Sequence, residues 1–193
     1  YNGDVARCDD LSDETQIGIG QKVVETTCSG EKYHELIYCD IWGGHVTDRL
    51  FKRTVIGDYR FPHSKTIEDM RFMRLILPSI NIEAHTNEKL YFYTVRQDNT
   101  SFVYARTFIN SYERAEEYQS RYEEARSKYP EYKEMLLIKS TTFACGCIRI
   151  LLKEKKRNSD EYQKMVSFLS KYKREIVVQK KLPIKYKLFL LTV

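Results

Sequence analysis

Tryptophan occurs once, proline four times and glycine eight times in these 193 residues. That scarcity excludes a collagen-like or Pro/Gly-rich disordered chain, and no long repeat points to a solenoid. No signal peptide and no initiator Met open the chain, and the five cysteines are odd in number and irregular in spacing. A disulfide scaffold is therefore excluded, and a reducing cytoplasm is the expected compartment. Cys145-Gly146-Cys147 is too tightly spaced for a zinc site and has no second ligand pair nearby, so both are predicted to be buried thiols.

What is present suffices for a core. Apolar side chains make up 42% and aromatics 13% of the chain, enough for one domain of ordinary size with an extension. The net charge of +5 is uneven, being −4 over 1–100, +1 over 101–152 and +8 over 153–193. An acidic front half would repel a polyanion, which argues against nucleic acid as a partner.

Alternation from Tyr1 to Cys8 predicts a short strand, and the polar, turn-rich stretch from Asp9 to Gly30 a loop or hairpin. Residues 31–42 suit a short helix that resumes towards Phe51. A clearer helix starts near Ser64, where Thr66 and Asp69 stand as in a capping box; Met70, Met73, Ile76 and Leu77 follow at helical spacing, and Pro78 ends the run. Leu90 to Val95 is the best strand candidate, being aromatic and β-branched. Beyond it, Ala115, Tyr118, Tyr122, Ala125 and Tyr129 recur at steps of three and four, which predicts an amphipathic helix over 111–128. Pro130 introduces a helix carrying Met135 to Leu152, and another spans 159–174.

The chemistry-bearing residues lie between 42 and 101. In order they are Trp42-Gly43-Gly44-His45, Asp48-Arg49-Leu50-Phe51-Lys52-Arg53, Arg60-Phe61-Pro62, Ile67-Glu68-Asp69, and Tyr91-Phe92-Tyr93 followed by Arg96, Asn99, Thr100 and Ser101. The set resembles the second half of a family 2 glycosyltransferase domain. That family shows a Trp-containing loop, an aromatic-basic segment ending near Phe-Pro, an acidic pair opening a helix, and a Tyr-rich strand followed by Arg and a small hydroxyl residue. Each motif alone is weak, and their order is what carries the likeness, over residues 1–105.

The resemblance implies an α/β fold: the C-terminal part of a nucleotide-diphospho-sugar transferase (GT-A-like) domain over 1–105, with a helical C-terminal extension over 106–193. It implies that the parent enzyme moves a sugar from a nucleotide-sugar donor to a saccharide or lipid-linked acceptor, in bacterial polysaccharide or glycolipid synthesis, with a divalent Mg or Mn ion. Asp69 is implied as the base that takes the acceptor hydroxyl's proton, with Glu68 beside it on an acceptor hydroxyl. Trp42 is a stacking platform, His45 and Asp48 are acceptor- or diphosphate-side candidates, and Arg96 a clamp for phosphate or carboxylate. Thr94 stands where an Arg is frequent, so the role of Arg96 is open to a shift. No Asp-x-Asp occurs in the chain, so the donor and metal residues are expected upstream and the chain alone is expected to be inactive.

Plainer roles exist for the same residues. Asp69 suits a helix cap, Trp42 a core position, His45 a loop hydrogen bond, Asp48 an ion pair with Arg49, Lys52 or Arg53, and Arg96 a surface salt bridge. The basic tail, with Lys180, Lys181, Lys185 and Lys187 interleaved with large apolar residues, suits an anionic membrane surface as well as a solvated helix face. A peripheral position on the inner membrane face follows from the first. The competing reading is a non-catalytic helical module binding nucleic acid or a membrane surface. A sheet lacking its central strands would pair some other way, and a homodimer through the exposed edge is expected.

Overall fold

The computed structural model describes residues 5–11, 24–28, 45–92, 96–99, 103–104 and 107–192. The chain divides into two compact units. The first comprises Tyr1–Ser64 and Glu68–Phe102, and the second Lys65–Ile67 and Val103–Val193.

The first unit is built on strands β1 (Val5–Leu11), β2 (Val24–Cys28), β3 (Arg49–Phe51) and β4 (Ile82–Phe92) in the order β2-β4-β1-β3. β4 runs parallel to β1 and antiparallel to β2, while β3 closes antiparallel on β1, with Ala6 opposite Leu50. Register shifts at Cys8/Asp9 and Asp9/Asp10 bend β1 along its partner, as bulges do. The sheet is therefore mixed, and its described strands pair with one another within the chain. The parallel pair needs a long crossover, and the sequence between β1 and β4 supplies it.

The helix expected to run towards Phe51 is absent. Residues 49–51 instead pair with β1, because a free strand edge satisfies their backbone groups and overrides weak local propensity. A four-residue helix, α1 (Arg53–Ile56), follows and stops at Gly57, whose φ of 51° only glycine adopts without strain. The helix expected at 31–42 lies outside the described residues. Within the stretch Asp9 to Gly30, expected as loop or hairpin, residues 9–11 and 24–28 are strand.

Helix α2 (Glu68–Ile76) buries Met70, Met73 and Ile76, as the spacing predicted, and Phe72 besides, with Leu77 buried in the turn that follows. Pro78 sits in the 3-10 turn Leu77–Ser79 that ends it, since its missing N–H and ring stop an α-helix. Phe61 stacks on Phe72 at 4.2 Å between ring centroids, which seats the Phe61-Pro62 corner against this helix.

The second unit is helical: α3 (Phe108–Lys128), α4 (Lys133–Lys153), α5 (Asp160–Lys171), α6 (Lys173–Val178) and α7 (Ile184–Phe189). Thr107 and Ser159 cap α3 and α5 by accepting the backbone N–H groups of Asn110 and Tyr162, the usual Ser/Thr device. The helix expected over 159–174 breaks at Tyr172, which ends α5 and starts α6. Ala115, Tyr118, Tyr122 and Ala125 of α3 are buried, with Tyr118 stacked on Phe143 and Tyr122 edge-on to Phe168 and Tyr172. By length and composition α4 is apolar enough to cross a membrane, and half of its apolar window is buried inside the protein. Cys145 and Cys147 are free and buried on it, and burial pushes both thiols up to about 12. The coarse architecture is thus sheet plus helices, with a helical C-terminal part.

Candidate functional site

The turn at 45–49 is tied by its own arginine. Arg49 N–H donates to the Val46 carbonyl at 3.2 Å, while its buried guanidinium Nη1 donates to the His45 carbonyl and to Asp48 Oδ1, the latter at 2.8 Å. The Asp48–Arg49 ion pair is one of the plainer roles expected for Asp48; the burial of Arg49 is not legible in the sequence, because an i,i+1 acid-base pair leaves no periodic signal. In the fold Arg49 is the post around which His45 and Asp48 are arranged.

From that turn His45 reaches Asp69. His45 Nδ1 stands 3.4 Å from Asp69 Oδ2, although 24 residues separate them in sequence. Asp69 Oδ1 accepts the Met70 N–H at 2.7 Å, so its carboxylate divides between the helix start and the imidazole. The hydrogen bond to Asp69 raises the His45 pKa above the ordinary 6.5 despite partial desolvation, and Asp48 adds to the rise. His45 remains 74% exposed and Asp69 32% exposed, so both are reachable from solvent.

The capping box is corrected in detail. α2 begins at Glu68, and the Thr66 hydroxyl donates to Glu113 Oε2 at 2.6 Å. The same carboxylate accepts the Lys65 and Thr66 N–H groups, each at 2.9 Å. Glu113 lies on α3 and is buried, and a carboxylate holding two backbone donors and a hydroxyl is a strong local clamp. Nothing local announces a partner 47 residues away, which is why the sequence offered no hint of it.

The remaining candidates are dispersed. Glu68 is exposed at the first position of α2. Arg96 pairs with Asp98 at 3.4 Å, both side chains exposed, in a turn where Asn99 N–H donates to the Arg96 carbonyl. Trp42 lies outside the described residues, as do its neighbouring glycines. Thus Arg49 ties Asp48 to the His45 backbone, His45 reaches Asp69, and Arg96 engages its own turn. A separate concavity of about 180 Å³ in the helical unit, bordered by Tyr122, Leu137, Glu175 and Gln179 among others, holds none of the motif residues. Among the described residues no group of three or more His, Cys, Asp or Glu is arranged to hold a metal ion. No family model matches the chain, and no curated protein matches it.

Proposed function

We propose that the chain carries the acceptor side of a family 2 glycosyltransferase, the C-terminal part of a GT-A-like domain followed by a helical extension. The observation that most supports this reading is the 3.4 Å approach of His45 to Asp69, which joins two motifs that the resemblance marks as functional. Support also comes from the order of motifs between Trp42 and Ser101.

In this reading Asp69 takes the proton of an acceptor hydroxyl as that oxygen bonds to the anomeric carbon of a nucleotide sugar. The bond from that carbon to the diphosphate breaks, and the nucleoside diphosphate leaves with the electron pair. Below its raised pKa the His45 imidazolium holds the carboxylate; as pH rises the imidazole becomes neutral and Asp69 is freed to accept a proton. Activity should therefore climb with pH through the His45 midpoint. Glu68 is available to a second acceptor hydroxyl and Arg96 to a phosphate or acceptor carboxylate, and the resemblance assigns Trp42 to a sugar face. The divalent ion that the family uses finds no ligand set among the described residues.

Asp69→Asn in the full-length protein tests the assignment. With nucleotide-sugar donors, loss of a general base predicts a fall in turnover of roughly 10²–10⁴-fold with thermal stability retained. If Asp69→Asn keeps its turnover and instead loses stability, Asp69 is a helix cap and the reading fails.

A further inference from the structure

The C-terminal segment presents two apolar sides. Leu182 and Leu190 turn inward, each 3% exposed, together with buried Ile176 and Gln179. Ile184, Leu188 and Leu191 turn outward at 68%, 56% and 71% exposure. Their spacing of four and then three places them on one side of the helical path through α7. Val178 at the end of α6 is 74% exposed as well. A helix of a soluble bundle keeps such a stripe inside; here α7 has no buried residue along its length.

Charge surrounds the stripe. Lys173, Arg174, Lys180, Lys181 and Lys185 are exposed and Lys187 half-buried. Between 173 and 192 the single acid is Glu175, and it is engaged elsewhere. It accepts the Tyr122 hydroxyl at 2.5 Å and faces Arg126 at 3.6 Å. Among the described residues Lys181 is drawn to a carboxylate, Glu134, at 3.9 Å with both groups exposed. Lys185 lies over the Tyr186 ring at 5.1 Å, keeping its ammonium at the surface beside the aliphatic row.

We infer that this face, built from Ile184, Leu188 and Leu191 with the flanking lysines, seats on the surface of an anionic phospholipid bilayer. Exposed aliphatics at helical spacing gain by entering the headgroup boundary, and long basic side chains reach back to lipid phosphates. A nucleic acid would satisfy the cations but would leave the aliphatic row in water, since strand binding relies on aromatic stacking. The inference concerns the helical unit alone and stands whether or not the glycosyltransferase reading does.

Co-sedimentation of the full chain with vesicles decides it. The wild type is expected to bind vesicles containing phosphatidylglycerol and to leave pure phosphatidylcholine vesicles unbound. Lys180→Glu with Lys181→Glu should lower partitioning by at least roughly tenfold, given the attraction of each cation to an anionic surface. Ile184→Ser with Leu188→Ser should lower it comparably, with far-UV circular dichroism little changed because both side chains are more than half exposed. No binding to anionic vesicles at low salt would overturn the proposal. So would partitioning indifferent to the Ile184/Leu188 change, which would leave charge alone, or a size-exclusion dimer abolished by that change, which would make a second copy the occupant. Release of the chain from vesicles by duplex or single-stranded nucleic acid at equal charge would likewise overturn it.

Discussion

At the scale of single residues, the His45–Asp69 pair has a signature that activity assays are not needed to see. Because the hydrogen bond that His45 donates to Asp69 is the largest influence on its titration, the imidazole should titrate above 6.5 by NMR and return towards it in Asp69→Asn. A raised histidine pKa means the folded state binds the proton more tightly than the unfolded chain does. The contribution of the pair to stability is thus complete below about pH 6.5 and fades as pH rises through the folded midpoint. Solvent screening at a side chain 74% exposed keeps that contribution small. A His45 midpoint unmoved by Asp69→Asn would dissolve the pair as a functional unit.

Elements show where patterning suffices and where it fails. The recurrence of Ala115, Tyr118, Tyr122, Ala125 and Tyr129 predicts one inner face of α3; the first four are buried, while Tyr129, the residue that caps the helix, is half-buried. That recurrence does not reveal a second, polar buried row: Glu113, Glu117 and Arg121, spaced four apart and each under 8% exposed. Arg121 Nε donates to Glu117 Oε1 at 2.9 Å inside the protein. Amphipathicity assigns such residues to solvent, and only a long-range partner or a buried ion pair compensates their desolvation. Arg121→Ala should cost about 3–5 kcal/mol in urea unfolding, because it strips the Glu117 carboxylate of a buried cation. Glu117→Gln combined with Arg121→Met should recover much of that loss. A cost below about 1 kcal/mol for the single change would show the pair to be solvated after all. The same logic explains β3: the residues of Arg49–Phe51 lead into helix α1, yet the edge of β1 decides their state.

For the chain as a whole, the thiols of α4 report on the folding of the helical unit. Burial pushes Cys145 and Cys147 from the ordinary 9.0 up to about 12, so the unfolded chain gives up these protons first. Stability of the unit should therefore fall as pH rises above about 9. At pH 8 both thiols should resist iodoacetamide in the native chain and become labelled in step with the loss of helical circular dichroism in urea. Peptide mapping separates them from the cysteines at 8, 28 and 39. Prompt labelling of the native protein at either position would contradict the buried placement.

The sequence by itself determined the helical C-terminal part, the buried face of α2 and its halt at Pro78, the burial of the Cys145–Cys147 pair, and the end of β4, since Leu90–Phe92 of the strand expected over Leu90–Val95 belong to it and 93–95 lie outside the described residues. Each follows from local rules of period, capping and chain stiffness that act over a few residues. Only the tertiary structure decided the strand order β2-β4-β1-β3, the strand at Arg49–Phe51, the meeting of His45 with Asp69, and the grip of Glu113 on Lys65 and Thr66. These depend on which distant groups arrive to satisfy a backbone edge or a buried charge, and a linear pattern holds no record of that arrival.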